Sequence, residues 1–216
     1  MSLPSHVDVV IVGGGVMGTS AAFHLAEAGV SVLLCEKNEL ASGSTSKAAG
    51  GVRANFSDEF NVALGARSLD LFAEFKSRPG YEIDLHRSGY LFALTKQEDV
   101  ELFERSTKIH NQFNVESRML TPSEAGKISP LLNTKDLIAA SFTPNDGHCT
   151  PEAVVLGYAG GAKKLGATVL TNTEVSAIKL DSGEITSVVT SAGEVRTDAV
   201  INCAGVWSPQ IGSMVG

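Results

Sequence analysis

The first 36 positions place short apolar runs on either side of a helical pattern. A nearly continuous apolar run from Val7 to Val12 is typical of a strand buried on both faces of a parallel sheet. Helix-forming residues fill Met17 to Ala28, with apolar positions spaced for one packed face, and Gly29 ends this helix. A second apolar run, Val32 to Cys35, follows. The pattern therefore predicts a strand–helix–strand unit.

The rest of the chain predicts further helices and strands. The predicted helices are Asp58–Lys76, Gln97–Phe113, Pro122–Ile128, Glu152–Leu165 and one that begins at Ile211. The predicted strands are Tyr90–Leu94, Leu137–Phe142, Thr168–Leu170, Val175–Leu180, Ile185–Thr190 and Ala199–Cys203. A hairpin-like turn is predicted at Asp181–Glu184.

These elements predict an α/β fold in two parts. Residues 1–80 and 146–216 alternate strands and helices, as expected of a Rossmann-like domain with a parallel sheet. Residues 81–145 predict part of a second domain with its own mixed or antiparallel sheet. Because the last helix begins so close to residue 216, we expect the remainder of the fold to follow and the chain to be the N-terminal portion of a longer protein.

Glycines in G-x-G-x-x-G spacing connect the first strand to the first helix. Gly13 permits a tight turn, Gly15 lets a pyrophosphate approach the backbone, and Gly18 lets helix and strand pack closely. The helix N-terminus offers N–H groups and partial positive charge to phosphates. Glu36, after the second strand, can accept a hydrogen bond from a ribose hydroxyl and would repel the 2′-phosphate of NADP. The context predicts a dinucleotide site, and the alternative is a glycine-rich turn that binds no dinucleotide.

Composition and charge narrow the function classes. The chain has 216 residues, of which 43% are hydrophobic and 19% charged, with a formal net charge of −7. This charge predicts no nucleic-acid partner, and no apolar stretch has the length of a membrane span. The N-terminus lacks a signal-peptide pattern, which predicts a cytoplasmic protein. Three widely spaced cysteines and scattered histidines predict neither a disulfide framework nor a metal site.

Five motifs together resemble one known family. They are Val7–Glu36, Ala41–Arg53, Asp146–Pro151, Thr173–Ile178 and Val200–Ser208. In this order they resemble the FAD-dependent D-amino-acid oxidase superfamily, and within it sarcosine oxidase, glycine oxidase and the β subunits of sarcosine oxidase and proline dehydrogenase. The resemblance covers essentially the whole chain. It implies an FAD-binding domain in residues 1–80 and 146–216, with residues 81–145 in a substrate domain.

The resemblance also implies a set of residues that hold the cofactor. They are Gly13, Gly14, Gly15, Val16, Met17, Gly18, Glu36, Lys37, Ser44, Thr45, Ser46, Lys47, Ala49, Gly50, Val175, Cys203, Ala204, Gly205 and Trp207. The implied reaction is oxidation of the C–N bond of a small amine or amino acid, by hydride transfer to the flavin. Relatives that attach their flavin through a histidine have one where this chain has Ser46 and Lys47 or Pro151, so FAD is expected to be non-covalent.

Two cations are implied in catalysis, each with an alternative interpretation. Lys47 would favour the anionic reduced flavin, or it is a solvated lysine on a surface loop. Arg53 would bind the substrate carboxylate with both arms of its guanidinium, or it belongs to a structural salt bridge.

Two other functions stay open at this point. One is an NAD-dependent Rossmann dehydrogenase, and the other is a non-catalytic cofactor-binding module that needs a partner or a further segment. A partner subunit or a separate electron acceptor is equally compatible with the sequence. The particular amine, and oxidase as against dehydrogenase activity, are not determined by it.

Overall fold

The computed structural model describes residues 3–216 and has a mixed α/β fold, as predicted. The helices are α1 Val16–Glu27, α2 Glu59–Ala73, α3 Gln97–Gln112, α4 Pro122–Ile128, α5 Pro151–Lys164 and α6 Ser208–Gly212. The strands are β1 Val9–Val12, β2 Val32–Cys35, β3 Gly51–Val52, β4 Tyr90–Leu94, β5 Arg118–Leu120, β6 Ala139–Thr143, β7 Gly147–His148, β8 Thr168–Leu170, β9 Val175–Asp181, β10 Glu184–Thr190, β11 Gly193–Arg196 and β12 Ala199–Asn202.

The chain divides into two compact units. The first unit contains the described part of Met1–Ala49, together with Lys76–Ile83 and Thr150–Gly216. The second contains Gly50–Phe75 and Asp84–Cys149. The segment 50–75 thus belongs to the same compact unit as 84–149, whereas the sequence assigned it to the FAD-binding domain. The division into FAD-binding and substrate domains concerns function and stays a prediction.

The first unit is built on the predicted parallel sheet. Its strand order is β12-β1-β2-β8, with Val9 opposite both Ala199 and Val32. Helices α1 and α5 pack side by side through Phe23 and Tyr158, whose ring centroids are 5.6 Å apart. Unbroken apolar runs suit these strands because neighbouring layers bury both of their faces.

An antiparallel sheet of order β11-β10-β9 covers the other face of the parallel sheet. The two sheets share one buried apolar cluster, which contains Val7, Val10, Val12, Leu33, Cys35, Val175, Ile178, Val188 and Val195. The hairpin between β9 and β10 was predicted at Asp181–Glu184. Its two loop residues, Ser182 and Gly183, both have positive φ, as a tight two-residue hairpin requires.

The second unit contains a sheet of order β4-β6-β5 in which both pairings are antiparallel. A short ladder pairs β3 with β7 and places Val52 opposite Gly147. Helix α2 packs on the end of α3 through an apolar cluster that includes Val62, Leu69 and Val115. This cluster explains why residues 50–75 fold with the second unit.

Several element boundaries differ from the sequence prediction. Strands β3, β5, β7 and β11 were not predicted, since two to four residues carry too little periodicity to be recognised. Helix α6 begins at Ser208 instead of Ile211, because Pro209 is favoured in a first helical turn. Helix α2 begins after Asp58, whose side chain caps it by accepting the N–H of Asn61.

Among the helices of residues 3–216, none combines the length and the apolar character needed to cross a membrane.

Candidate functional site

A cavity of about 300 Å³ lies at the carboxyl ends of the parallel strands in the first unit. Loops after the ends of such strands are where α/β folds bind ligands. Predicted cofactor residues form much of its wall: Gly13, Gly15, Val16, Met17, Glu36, Lys37, Ser44, Thr45, Val175, Cys203, Ala204, Gly205 and Trp207. The structure therefore brings together residues that lie far apart in the sequence.

The glycine turn fits tightly between its neighbours at two of its three positions. Gly13 has φ +113°, and a Cβ there would lie 2.3 Å from the carbonyl oxygen of Cys203. A Cβ on Gly18 would lie 1.9 Å from the carbonyl oxygen of Gly13. The fold itself requires glycine at both positions, because β1, α1 and the end of β12 pass too close for a side chain.

Gly15 differs from these two glycines. Its φ of −80° is open to any residue, and the nearest atom to a Cβ built there is Thr45 Oγ1 at 3.4 Å. Neither backbone strain nor crowding within the protein explains the missing side chain. Gly15 borders the cavity, so a ligand group that approaches the Gly15 backbone would account for the missing side chain.

The N-terminus of α1 has few side chains that could accept hydrogen bonds from its first backbone N–H groups. Gly15 is the N-cap and has no side chain to offer, and the first turn contains no acidic residue. The Val16 N–H donates to Thr45 Oγ1 at 3.3 Å, which brings the hydroxyl-rich loop to the helix end. The partial positive charge of the helix N-terminus is thus available to an anion such as a pyrophosphate.

Glu36 is held at the end of β2 by backbone donors. Its Oε2 accepts the Gly14 N–H at 2.7 Å, and its Oε1 accepts the Asn38 N–H at 2.9 Å. Each carboxylate oxygen can accept a second hydrogen bond, so the side chain is oriented and still able to bind a ribose hydroxyl.

One part of the cavity wall combines a cation with an aromatic ring. Lys37 Nζ lies 4.2 Å from the centroid of the Trp207 ring.

Burial raises the pKa of the Cys35 thiol to about 12 and also raises that of Cys203, so both thiols stay neutral near pH 7. Among residues 3–216, no cluster of His, Cys, Asp and Glu has the arrangement of a metal site.

Some predicted residues lie outside the cavity wall. Gly14 and Gly18 shape the turn behind it, and Ser46, Lys47 and Ala49 are exposed on the loop that contains the 3-10 helix Thr45–Lys47. Gly50 and Arg53 belong to the second unit. The cofactor and catalytic roles of all these residues stay predictions.

Sequence reasoning missed several wall residues. They are Val12, Cys35, Asn38, Ser42, Gly43, Thr173, Glu174, Gln210, Ile211 and Met214. Val12 and Cys35 are the last residues of β1 and β2, and the others lie in the segments that follow β2, β8 and β12. Their position at or after the carboxyl end of a predicted parallel strand was the available signal.

Arg53 has an aromatic environment in the second unit. Its guanidinium carbon lies 5.4 Å from the ring centroid of Phe56 and 5.8 Å from those of Tyr90 and Phe92. Within the described chain, no Asp or Glu forms a salt bridge with it, and the side chain is exposed. The interpretation of Arg53 as half of a structural salt bridge is therefore not supported by the described residues.

Comparisons with known proteins cover nearly the whole chain. Dimethylglycine dehydrogenase of Rattus norvegicus is 32% identical over 211 residues, which are 97% of this chain and 24% of that protein. Glycine oxidase of Geobacillus kaustophilus is 32% identical over 217 residues, which cover 97% of this chain and 57% of that protein. The chain thus spans about a quarter of the first relative and somewhat more than half of the second.

A solved structure and a family model extend the likeness. L-proline dehydrogenase from P. horikoshii matches with a TM-score of 0.94 and 37% identity, over 99% of this chain and 57% of that one. The model of the family described as DAO, FAD dependent oxidoreductase, matches residues 8–216. The chain belongs to the FAD dependent oxidoreductase family, which confirms the resemblance seen in its five motifs.

Proposed function

We propose that this chain forms the FAD site and part of the substrate site of an enzyme that oxidises the C–N bond of a small amine or amino acid. The named activities of the relatives support this class, since they include dimethylglycine dehydrogenase, glycine oxidase and L-proline dehydrogenase. The same comparisons offer less support for an NAD-dependent dehydrogenase or a non-catalytic binding module.

The observation that carries the proposal is the cavity beside Gly15. The protein leaves space at this residue that its own packing does not need, directly at the N-terminus of α1. A pyrophosphate suits that space, because it accepts hydrogen bonds from backbone N–H groups and carries negative charge. Glu36 would hold the adenosine ribose, and Trp207 and Lys37 would border the same ligand.

When bound, FAD supplies the hydride-accepting chemistry that converts the amine to an imine, which water hydrolyses to a carbonyl compound. The chain's own part is to bind and orient. We propose that FAD is held without a covalent bond, since the family resemblance implies an attaching histidine in some members where this chain has Ser46, Lys47 and Pro151.

For substrate binding we propose Arg53. Its guanidinium is exposed, lies against three aromatic rings and has no carboxylate partner in residues 3–216, so it is free to bind a substrate carboxylate at two points. We also propose Lys47, which is exposed, for stabilising negative charge on the flavin.

We propose a cytoplasmic enzyme, as expected in the sequence analysis, although the relative from Rattus norvegicus is named as mitochondrial. A partner subunit or electron acceptor is compatible with the chain.

The experiment is anaerobic mixing of the FAD-loaded protein with sarcosine, dimethylglycine, glycine or L-proline, followed by the oxidised flavin absorption. We expect at least one compound to bleach it. The Arg53→Lys variant should need roughly tenfold more of that substrate, because a single ammonium replaces a two-point contact. The control is Arg67→Lys, an exposed arginine on α2, which should behave as the parent protein. If none of the four compounds reduces the flavin, the proposed function is wrong.

A further inference from the structure

The second unit buries one carboxylate completely. Asp146 lies between β6 and β7 with no exposed surface. Its Oδ1 accepts the N–H of Ala54 at 2.9 Å, and Ala54 is itself fully buried. Ala54 directly follows Arg53, so the buried carboxylate fixes the backbone beside the exposed guanidinium.

The main chain of Asp146 also fixes the segment that carries the rings around Arg53. Its carbonyl oxygen accepts the N–H of Gly89 at 2.8 Å, and Gly89 directly precedes β4, which contains Tyr90 and Phe92. One residue therefore joins the backbone of the cation to the backbone of two of its aromatic neighbours.

Burial of the Asp146 carboxylate costs stability, so the residue does more than fill space in the core. Burial raises the pKa of its carboxyl to about 6, while backbone N–H groups of Ala54 and Asn55 and the charge of Arg53 act in the opposite direction. Its Oδ2 has no hydrogen-bond partner in the part of the chain that is described. A buried carboxylate that is only half satisfied costs stability, so packing alone gives no reason for it.

We propose that Asp146 is a positioning residue, which fixes the backbone at Ala54 and at the start of β4 and so holds Arg53 ready for the carboxylate of the substrate. This inference rests on the proposed function, because it takes Arg53 as the group that binds the carboxylate. Asp146 acts only through Arg53 and does not touch the substrate.

The test compares ligands with and without a carboxylate. Methoxyacetate has the shape of sarcosine with oxygen in place of nitrogen, so it can bind and cannot react as an amine. Its dissociation constant is measured by calorimetry on the FAD-saturated protein. Asp146→Ala removes the acceptor for the Ala54 N–H, and Asp146→Asn keeps an oxygen there.

We expect Asp146→Ala to weaken methoxyacetate binding roughly tenfold or more, and Asp146→Asn to restore most of it. Reduction of the flavin by N-methylethylamine, which has no carboxylate, should change less than twofold in either variant. In an Arg53→Lys background, Asp146→Ala should add little, since both changes remove the same contact. The control is Ser141→Ala, which removes another buried oxygen of this unit that has no partner among residues 3–216.

Three results would overturn the proposal. One is equal weakening of the two ligands in Asp146→Ala, which would make the residue structural only. Another is full additivity with Arg53→Lys. The third is failure of both Asp146→Ala and the milder Asp146→Ser to fold, judged by circular dichroism. If the parent protein itself neither binds methoxyacetate nor is reduced by any amine, the proposed function fails, and this result is separate from the behaviour of the variants.

Discussion

Replacement of Gly15 by alanine should separate cofactor binding from folding. A Cβ at this position meets no atom closer than Thr45 Oγ1 at 3.4 Å, and the backbone has an ordinary φ of −80°. The fold can therefore accept the methyl group. The cavity beside it would lose the space that we assign to the pyrophosphate of FAD.

Gly15→Ala should change the free energy of unfolding less than it changes the free energy of FAD binding. Alanine restricts the unfolded chain, which stabilises by about 0.4–1 kcal/mol, and it is a poorer N-cap than glycine, which costs about as much. We expect the free energy of unfolding to stay within about 1 kcal/mol of the parent value. A methyl group forced against a tightly held ligand costs about 1–3 kcal/mol, which corresponds to roughly 5- to 150-fold weaker FAD binding.

The assay pairs urea unfolding with titration of FAD into apoprotein, followed by flavin fluorescence. Gly18→Ala is the contrasting variant, since its Cβ would lie 1.9 Å from the Gly13 carbonyl oxygen and should destabilise the fold itself. Gly212→Ala is the neutral control, because no atom lies within 4 Å of its Cβ.

Two results would refute this reasoning. If Gly15→Ala binds FAD with the parent affinity, no ligand group approaches this residue. If it loses stability to the same extent as Gly18→Ala, the fold and not the ligand requires the glycine.

Three further predictions concern single side chains. Glu36→Gln should weaken FAD binding about tenfold and leave FMN, which lacks the adenosine ribose, unaffected in the same titration. Burial raises the folded pKa of Asp146 from 3.8 to about 6, so its contribution to stability is present below the lower value and is lost as the pH rises through the higher one. Asp146→Asn cannot titrate, and its stability relative to the parent in urea unfolding should rise by up to ~3 kcal/mol from acid to neutral pH, whereas a constant difference would contradict the burial argument. Cys35, whose pKa burial raises to about 12, should resist iodoacetamide at pH ~8 in the folded protein and react in urea, as read by mass spectrometry, and labelling in the folded protein would contradict this.

The sequence predicted those parts of the fold that repeat a physical pattern. The apolar runs of β1 and β2 and the turn at Ser182–Gly183 each carry a signal that does not depend on distant residues. Strands β3 and β7 have only two residues each, and their pairing depends on residues about a hundred positions apart, so no local pattern indicates them.

In the candidate site, too, features encoded in a short motif could be predicted, whereas contacts between distant segments could not. The glycine turn and Glu36 were predicted because their chemistry is encoded within one short motif. Thr173 and Glu174 reach the cavity only because β8 pairs with β2, as shown by the Thr173 N–H donating to the Glu36 carbonyl at 2.8 Å. The link from Asp146 to Ala54 likewise spans the inserted segment and could not be predicted from the sequence alone.

The central claim is that this chain holds FAD without a covalent bond. The measurement that tests it most directly is the visible absorption spectrum of the purified protein, repeated on the supernatant after acid precipitation. We predict flavin bands in the native protein that move entirely into the supernatant. A protein that stays colourless after incubation with FAD would contradict the claim, and bands that remain with the precipitate would contradict its non-covalent part.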